Sequence, residues 1–97
     1  MKGYKYLIVN VFQATDVFAV DSSNCGLLLK VRCYNATAES EVAINSRNPI
    51  WDNRLVLKIP LFDDMLLPPL IITLLDRQSA FFKDDFIGGA IINLDTT

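Results

Sequence analysis

Asn48-Pro49-Ile50-Trp51-Asp52-Asn53-Arg54-Leu55-Val56-Leu57-Lys58-Ile59 joins a turn to a strand within one short stretch. Asn48 and Pro49 are turn residues for different reasons: asparagine bonds back to its own backbone, and the proline ring fixes φ. After them Leu55, Leu57 and Ile59 alternate with Arg54 and Lys58. Successive side chains of a strand face opposite ways, so this pattern specifies one buried and one solvated face. A helix would space its apolar residues three and four apart.

The same period of two runs outward in both directions. Leu7, Val9 and Val11 alternate with Ile8, Asn10 and Phe12. Leu27, Leu29, Val31 and Cys33 are interleaved with Lys30 and Arg32, Leu70, Ile72 and Leu74 with Ile71 and Thr73, and Ala90, Ile92 and Leu94 continue the pattern. Turn-rich stretches separate these runs: 21–26, 45–49, 62–64, Pro68-Pro69 and 83–85. Short alternating strands between such turns predict an antiparallel, Greek-key, all-β sandwich of seven to eight strands. Strands are expected near 4–13, 27–35, 39–45, 53–60, 70–76 and 87–94, with a seventh that the pattern does not locate. A one-turn helix is expected around Asp63–Leu67, which lacks alternation. The expected core is Leu7, Val9, Val11, Leu29, Val31, Leu55, Leu57, Ile72, Leu74 and Ile92, with Trp51 at least partly buried.

Composition narrows the function. The chain has 97 residues, one domain's worth, and at 52% hydrophobic with 21% charged it can build a core rather than stay disordered. A net charge of −2 leaves no basic stripe for nucleic acid. With no histidine the commonest general base and zinc ligand is absent. No nucleophile–base pair or phosphate-binding glycine loop replaces it, so the sequence does not read as an enzyme. Cys25 and Cys33 have no metal-binding spacing and read as reduced thiols of a cytosolic protein. The longest apolar run, Met65 to Ile72, is split by Pro68-Pro69 and falls short of a membrane span.

Three stretches in register resemble the C2 domain, a calcium- and phospholipid-binding module. They are Leu7-x-Val9-x-Val11-x-x-Ala14-x-x-Val17-x-x-x-Asp21, then Asn48-Pro49-Ile50-Trp51-Asp52-Asn53, then Leu74-Leu75-Asp76 leading to Asp85-Phe86-Ile87-Gly88. More narrowly, Pro68–Asp76 is similar to a segment of ferlins, large membrane-anchored proteins with several C2 domains. The resemblance implies a type II strand order, because only a few residues precede the Leu7 strand. It implies too that residues 1–97 form a single domain cut from a larger protein, with the last strand missing. An edge left open in this way invites pairing with another chain, as in an edge-strand dimer.

The resemblance also implies a site. C2 domains gather loop carboxylates around calcium, a hard ion that needs six to eight oxygens. Asp21, Asp76 and Asp85 match three of the family's five acidic positions. The second falls on Gly26 or Leu27, and the fourth on Gln78. Three carboxylates imply weak calcium binding or none. Phe18 and Val20 in the first loop and Phe81 and Phe82 in the third are the expected membrane-inserting tips; the alternative is that Phe81 or Phe82 packs on Phe18 as a local lid. The phosphoinositide mode of some C2 domains needs a lysine-rich strand, and Ala38-Glu39-Ser40-Glu41 is acidic instead. Two readings remain: a peripheral phospholipid-docking module of membrane trafficking or vesicle fusion, and a calcium-silent module that binds proteins or spaces neighbouring domains.

Overall fold

In the computed structural model, residues 3–18, 20–21, 23–61, 67–77 and 83–94 are described, with Leu61 by its backbone only. All regular elements among them are strands: β1 (Gly3–Gln13), β2 (Gly26–Cys33), β3 (Ala36–Glu39), β4 (Ala43–Ile44), β5 (Ile50–Leu61), β6 (Leu70–Asp76) and β7 (Asp85–Ile92). They form two antiparallel sheets. One is the pair β1–β5; the other runs β3-β2-β6-β7, with β4 pairing the start of β2. The expected all-β sandwich is therefore present. The expected turn of helix at Asp63–Leu67 lies, but for Leu67, outside the described residues.

Residues opposite each other in an antiparallel ladder share a face. Leu7 faces Leu57 and Val9 faces Leu55, while Ile8 faces Val56 and Tyr6 faces Lys58 on the outer side. Leu57 and Ile59 are almost wholly buried, each contributing roughly 1.5–3 kcal/mol. From the other sheet Leu27, Val31 and Cys33 join the core, with Leu29, Ile72 and Leu74 packed against it. Trp51 ties the two layers. A bulge sets Val11 opposite Asn53 but Gln13 opposite Ile50, and Asp52 takes a left-handed φ of 48°, a conformation Asp tolerates better than most residues. The Trp51 ring turns inward, and its Nε1–H donates to the Leu27 carbonyl at 3.0 Å.

Two expectations need correction. The strand expected over 39–45 is two short strands broken at Ser40. The Ser40 hydroxyl accepts the Leu29 N–H at 2.9 Å and donates to the Glu41 carbonyl at 2.9 Å. A side chain thus takes over part of the ladder, and the backbone turns away. Ile92, expected in the core, is 45% exposed. It is the last residue of β7, which forms one margin of its sheet, so its side chain overhangs the core. Among the described residues, β1, β3, β4, β5 and β7 each pair with a single strand.

Candidate functional site

One end of the molecule is organised by the start of β2 and the end of β6. Leu27 lies opposite Asp76, and the Arg77 N–H donates to the Gly26 carbonyl at 2.7 Å. The segments 14–25 and 77–84 therefore leave from the same end of the sheet. Residues 45–49 join them: Asn45 exchanges bonds with Cys25, its Oδ1 accepting the Cys25 N–H at 3.2 Å and its own N–H reaching the Cys25 carbonyl at 2.8 Å. The Asn48-Pro49 turn then holds the first loop. Asn48 Oδ1 accepts the Asp16 N–H at 2.9 Å, Ala14 N–H donates to the Pro49 carbonyl, and Arg47 Nε donates to the Val20 carbonyl at 2.9 Å.

The three expected carboxylates have different surroundings. Asp76 and Asp85 are ladder partners across β6 and β7, so these two positions are neighbours in the sheet. Asp76 is 5% exposed, and its Oδ1 accepts the Gly26 N–H at 2.9 Å. Asp85 is exposed. Asp21, also exposed, closes its own turn: Oδ1 accepts the Ser23 N–H at 3.0 Å and the Ser23 hydroxyl at 2.7 Å. The Ser23 amide, then its hydroxyl, hold the Asp21 carboxyl below the usual range. Among the described residues no group of three or more His, Cys, Asp or Glu side chains is placed to hold a metal ion.

The family's second acid has no room here. A Cβ at Gly26 would lie 2.4 Å from the Arg77 carbonyl oxygen and 2.9 Å from Val42 Cγ1, and Leu27 is fully buried. Gln78, the fourth position, lies outside the described residues.

A cation that sequence patterning does not single out stands beside this end. Arg77 grips Asp84 through Nε to Oδ1 at 2.9 Å and Nη2 to Oδ2 at 2.8 Å. It also meets Glu39 through Nη1 at 3.1 Å and Nη2 at 3.3 Å. Hydrogen bonding from Arg77 lowers the Asp84 carboxyl, and the two carboxylates push the guanidinium upward. The sequence signal was faint: Arg77 follows Asp76 directly, but Glu39 comes near only because β3 and β6 both pair with β2.

The apolar tips divide. Phe18 is 74% exposed in the first loop. Val20, expected beside it as a membrane contact, is instead 6% exposed and part of the core; the Arg47 bond to its carbonyl holds that stretch inward. Phe81 and Phe82 lie outside the described residues.

A sandwich with loops gathered at one end is a shape many folds share, and the sequence decides among them. A model of the C2 domain family matches residues 5–97. The chain belongs to the C2 domain family. C2 domains are in general binding modules without catalysis of their own, and they engage membranes or lipids in calcium-related signalling and trafficking. In this C2 domain the cations are dispersed. Lys30 and Arg32 line a shallow cavity of about 280 Å³ with Ile71, Thr73 and Leu75 on the outside of one sheet, with Glu39 opposite Lys30. Arg54 and Lys58 belong to β5 of the other sheet, where the Lys58 ammonium lies 4.1 Å from the Tyr4 ring centre. Among the described residues no helix is long and apolar enough to cross a membrane. Cys25 and Cys33 are both free and buried.

Proposed function

We propose that this C2 domain is a peripheral membrane-docking module that enters phospholipid through apolar loop tips, with calcium in a minor role. The observation that carries the reading is Phe18, 74% exposed on a loop that leaves the same end as 77–84. Phe81 and Phe82 in that second loop are the further tips. Each phenylalanine buried in lipid is worth roughly 1.5–3 kcal/mol before ordering costs, enough for reversible docking.

Asp21, Asp76 and Asp85 remain the proposed calcium ligands. Asp76 already serves the Gly26 amide, which supports an affinity no better than ~10⁻⁴–10⁻³ M. The setting is the cytoplasmic face of a membrane, within a larger multi-domain protein of ferlin type whose weakly docking domains act together through effective concentration. Such a protein would work in vesicle fusion or membrane trafficking.

Co-sedimentation with phosphatidylcholine–phosphatidylserine vesicles, in chelator and in millimolar calcium, tests this. Binding is expected in both, modestly stronger with calcium, and lost in a Phe18→Ala, Phe81→Ala, Phe82→Ala variant that keeps its circular dichroism. Wild-type protein that ignores vesicles of every composition sinks the proposal. One observation favours a second reading, a calcium-silent protein-interaction domain: Asp84, the carboxylate next to Asp85, is already held by Arg77.

A further inference from the structure

Among the described residues strand β7 is the margin of its sheet, and it is not defended as margins usually are. From Phe86 to Ile92 it carries no charge and no proline, the two commonest guards against pairing with another chain. Among the other margins β1 carries Lys5, β5 carries Arg54, Lys58 and Pro60, β3 has four residues and ends on Glu39, and β4 has only two. Along β7, Phe86 is 69% and Ile91 73% exposed.

The outer side of β7 has a notch and a knob two residues apart. At Gly89 a Cβ would lie 2.8 Å from the Ile72 carbonyl oxygen and 3.7 Å from the Phe86 ring. Only glycine fits beneath that ring and carbonyl, and the notch is the shallow cavity of about 490 Å³ beside it, lined by Ile71, Thr73, Phe86, Gly89 and Ile91 among others. Gly89 lies opposite Thr73 and Ile91 opposite Ile71, so knob and notch share one face of the sheet.

We infer that two copies of this chain pair β7 with β7, antiparallel, about a two-fold axis through Ala90. That register sets Gly89 of each copy opposite Ile91 of the other and Gly88 opposite Ile92. Ile91 of the second copy then fills the notch beside Phe86, and the symmetry repeats the fit. A two-fold contact must be self-complementary, and a knob spaced two residues from its own notch meets that condition. No like charges meet along the paired run, and the pairing extends each ladder by one strand.

The dimer has a polarity. β7 starts at the loop end with Asp85 and runs away from it to Ile92. Antiparallel pairing points the two loop ends in opposite directions. If the loop end docks on phospholipid, which rests on the function proposed above, the dimer bridges two bilayers.

Sedimentation equilibrium tests the pairing without lipid. Wild type is expected to show a reversible monomer–dimer equilibrium, and Ile91→Gln to raise the dissociation constant tenfold or more with an unchanged thermal melt, since Ile91 is exposed. An Ala90→Cys variant under mild oxidation is expected to give a disulfide-linked dimer, its thiol being the accessible one because Cys25 and Cys33 are buried. Phe12→Cys, 64% exposed on β1, is expected to cross-link far less. A wild type that stays monomeric at millimolar concentration, an Ile91→Gln variant as dimeric as wild type, or equal cross-linking through Phe12→Cys overturns the inference. On phosphatidylcholine–phosphatidylserine vesicles, light scattering should show clustering by wild type and binding without clustering by Ile91→Gln. Failure of both proteins to bind would count against the docking function and leave the pairing to sedimentation. Equal clustering by both would overturn the bridge.

Discussion

Asp76 and Asp21 carry the same carboxylate at the same end of the molecule, yet they do opposite work. Asp76 is buried and holds the Gly26 amide of another strand, fifty residues away in sequence. Asp21 is exposed and holds Ser23, two residues away. One fastens the base of two loops; the other shapes the tip of one. A carboxylate's position in a family pattern says where it stands, but its burial and its partner's distance along the chain decide how much of the fold depends on it.

The largest effect expected is that of Asp76→Ala. It leaves a buried Gly26 N–H without its acceptor and should lower the unfolding free energy by about 2–3 kcal/mol in urea melts. Asp76→Asn keeps an acceptor oxygen and should lose less than half as much. If both variants melt like wild type, the fastening role is wrong.

Arg77→Gln comes next. Its ion pairs are partly exposed, with the guanidinium side chain at 34% and Asp84 at 23%, so solvent screening limits the loss to about 0.5–1 kcal/mol, smaller still at high salt. The pH dependence has a definite sign. Arg77 depresses the Asp84 carboxyl in the fold, so this stabilisation is complete above the unfolded carboxylate pKa and is lost as pH falls through the lower folded value. Below about pH 4 the gap between wild type and Arg77→Gln should therefore close; a gap that widens in acid would refute it.

Asp21→Asn should do least to stability, within the scatter of replicate melts, because its partner is local and solvent is at hand. Its effect belongs to calcium: titration calorimetry in the variant should lose whatever weak heat the wild type gives. An Asp21→Asn variant as unstable as Asp76→Ala would erase the contrast between the two acids.

Strand period and turn chemistry were enough to place much of the core. Leu55, Leu57 and Ile59 went inward as their alternation required, and Trp51 was buried as expected. Ile92 failed because alternation gives a side chain's face and not whether anything covers it. Val20 failed for a related reason: an apolar loop residue can turn to lipid or to the core, and only Arg47, brought back by the 45–49 turn, settles which. Ser40 broke an expected strand through a side-chain bond to Leu29 that exists only once β2 lies beside it.

The sequence by itself determined the sandwich and its family, because strand period, turn residues and motif order are properties of neighbours along the chain. Only the tertiary structure decided that Asp76 is fastened inward, that Arg77 occupies Glu39 and Asp84, that Gly26 has no room for an acid, and that Gly89 leaves a notch beside Ile91. Each of these depends on atoms of different strands or loops being brought together. Burial and pairing of that kind arise only when the chain is folded.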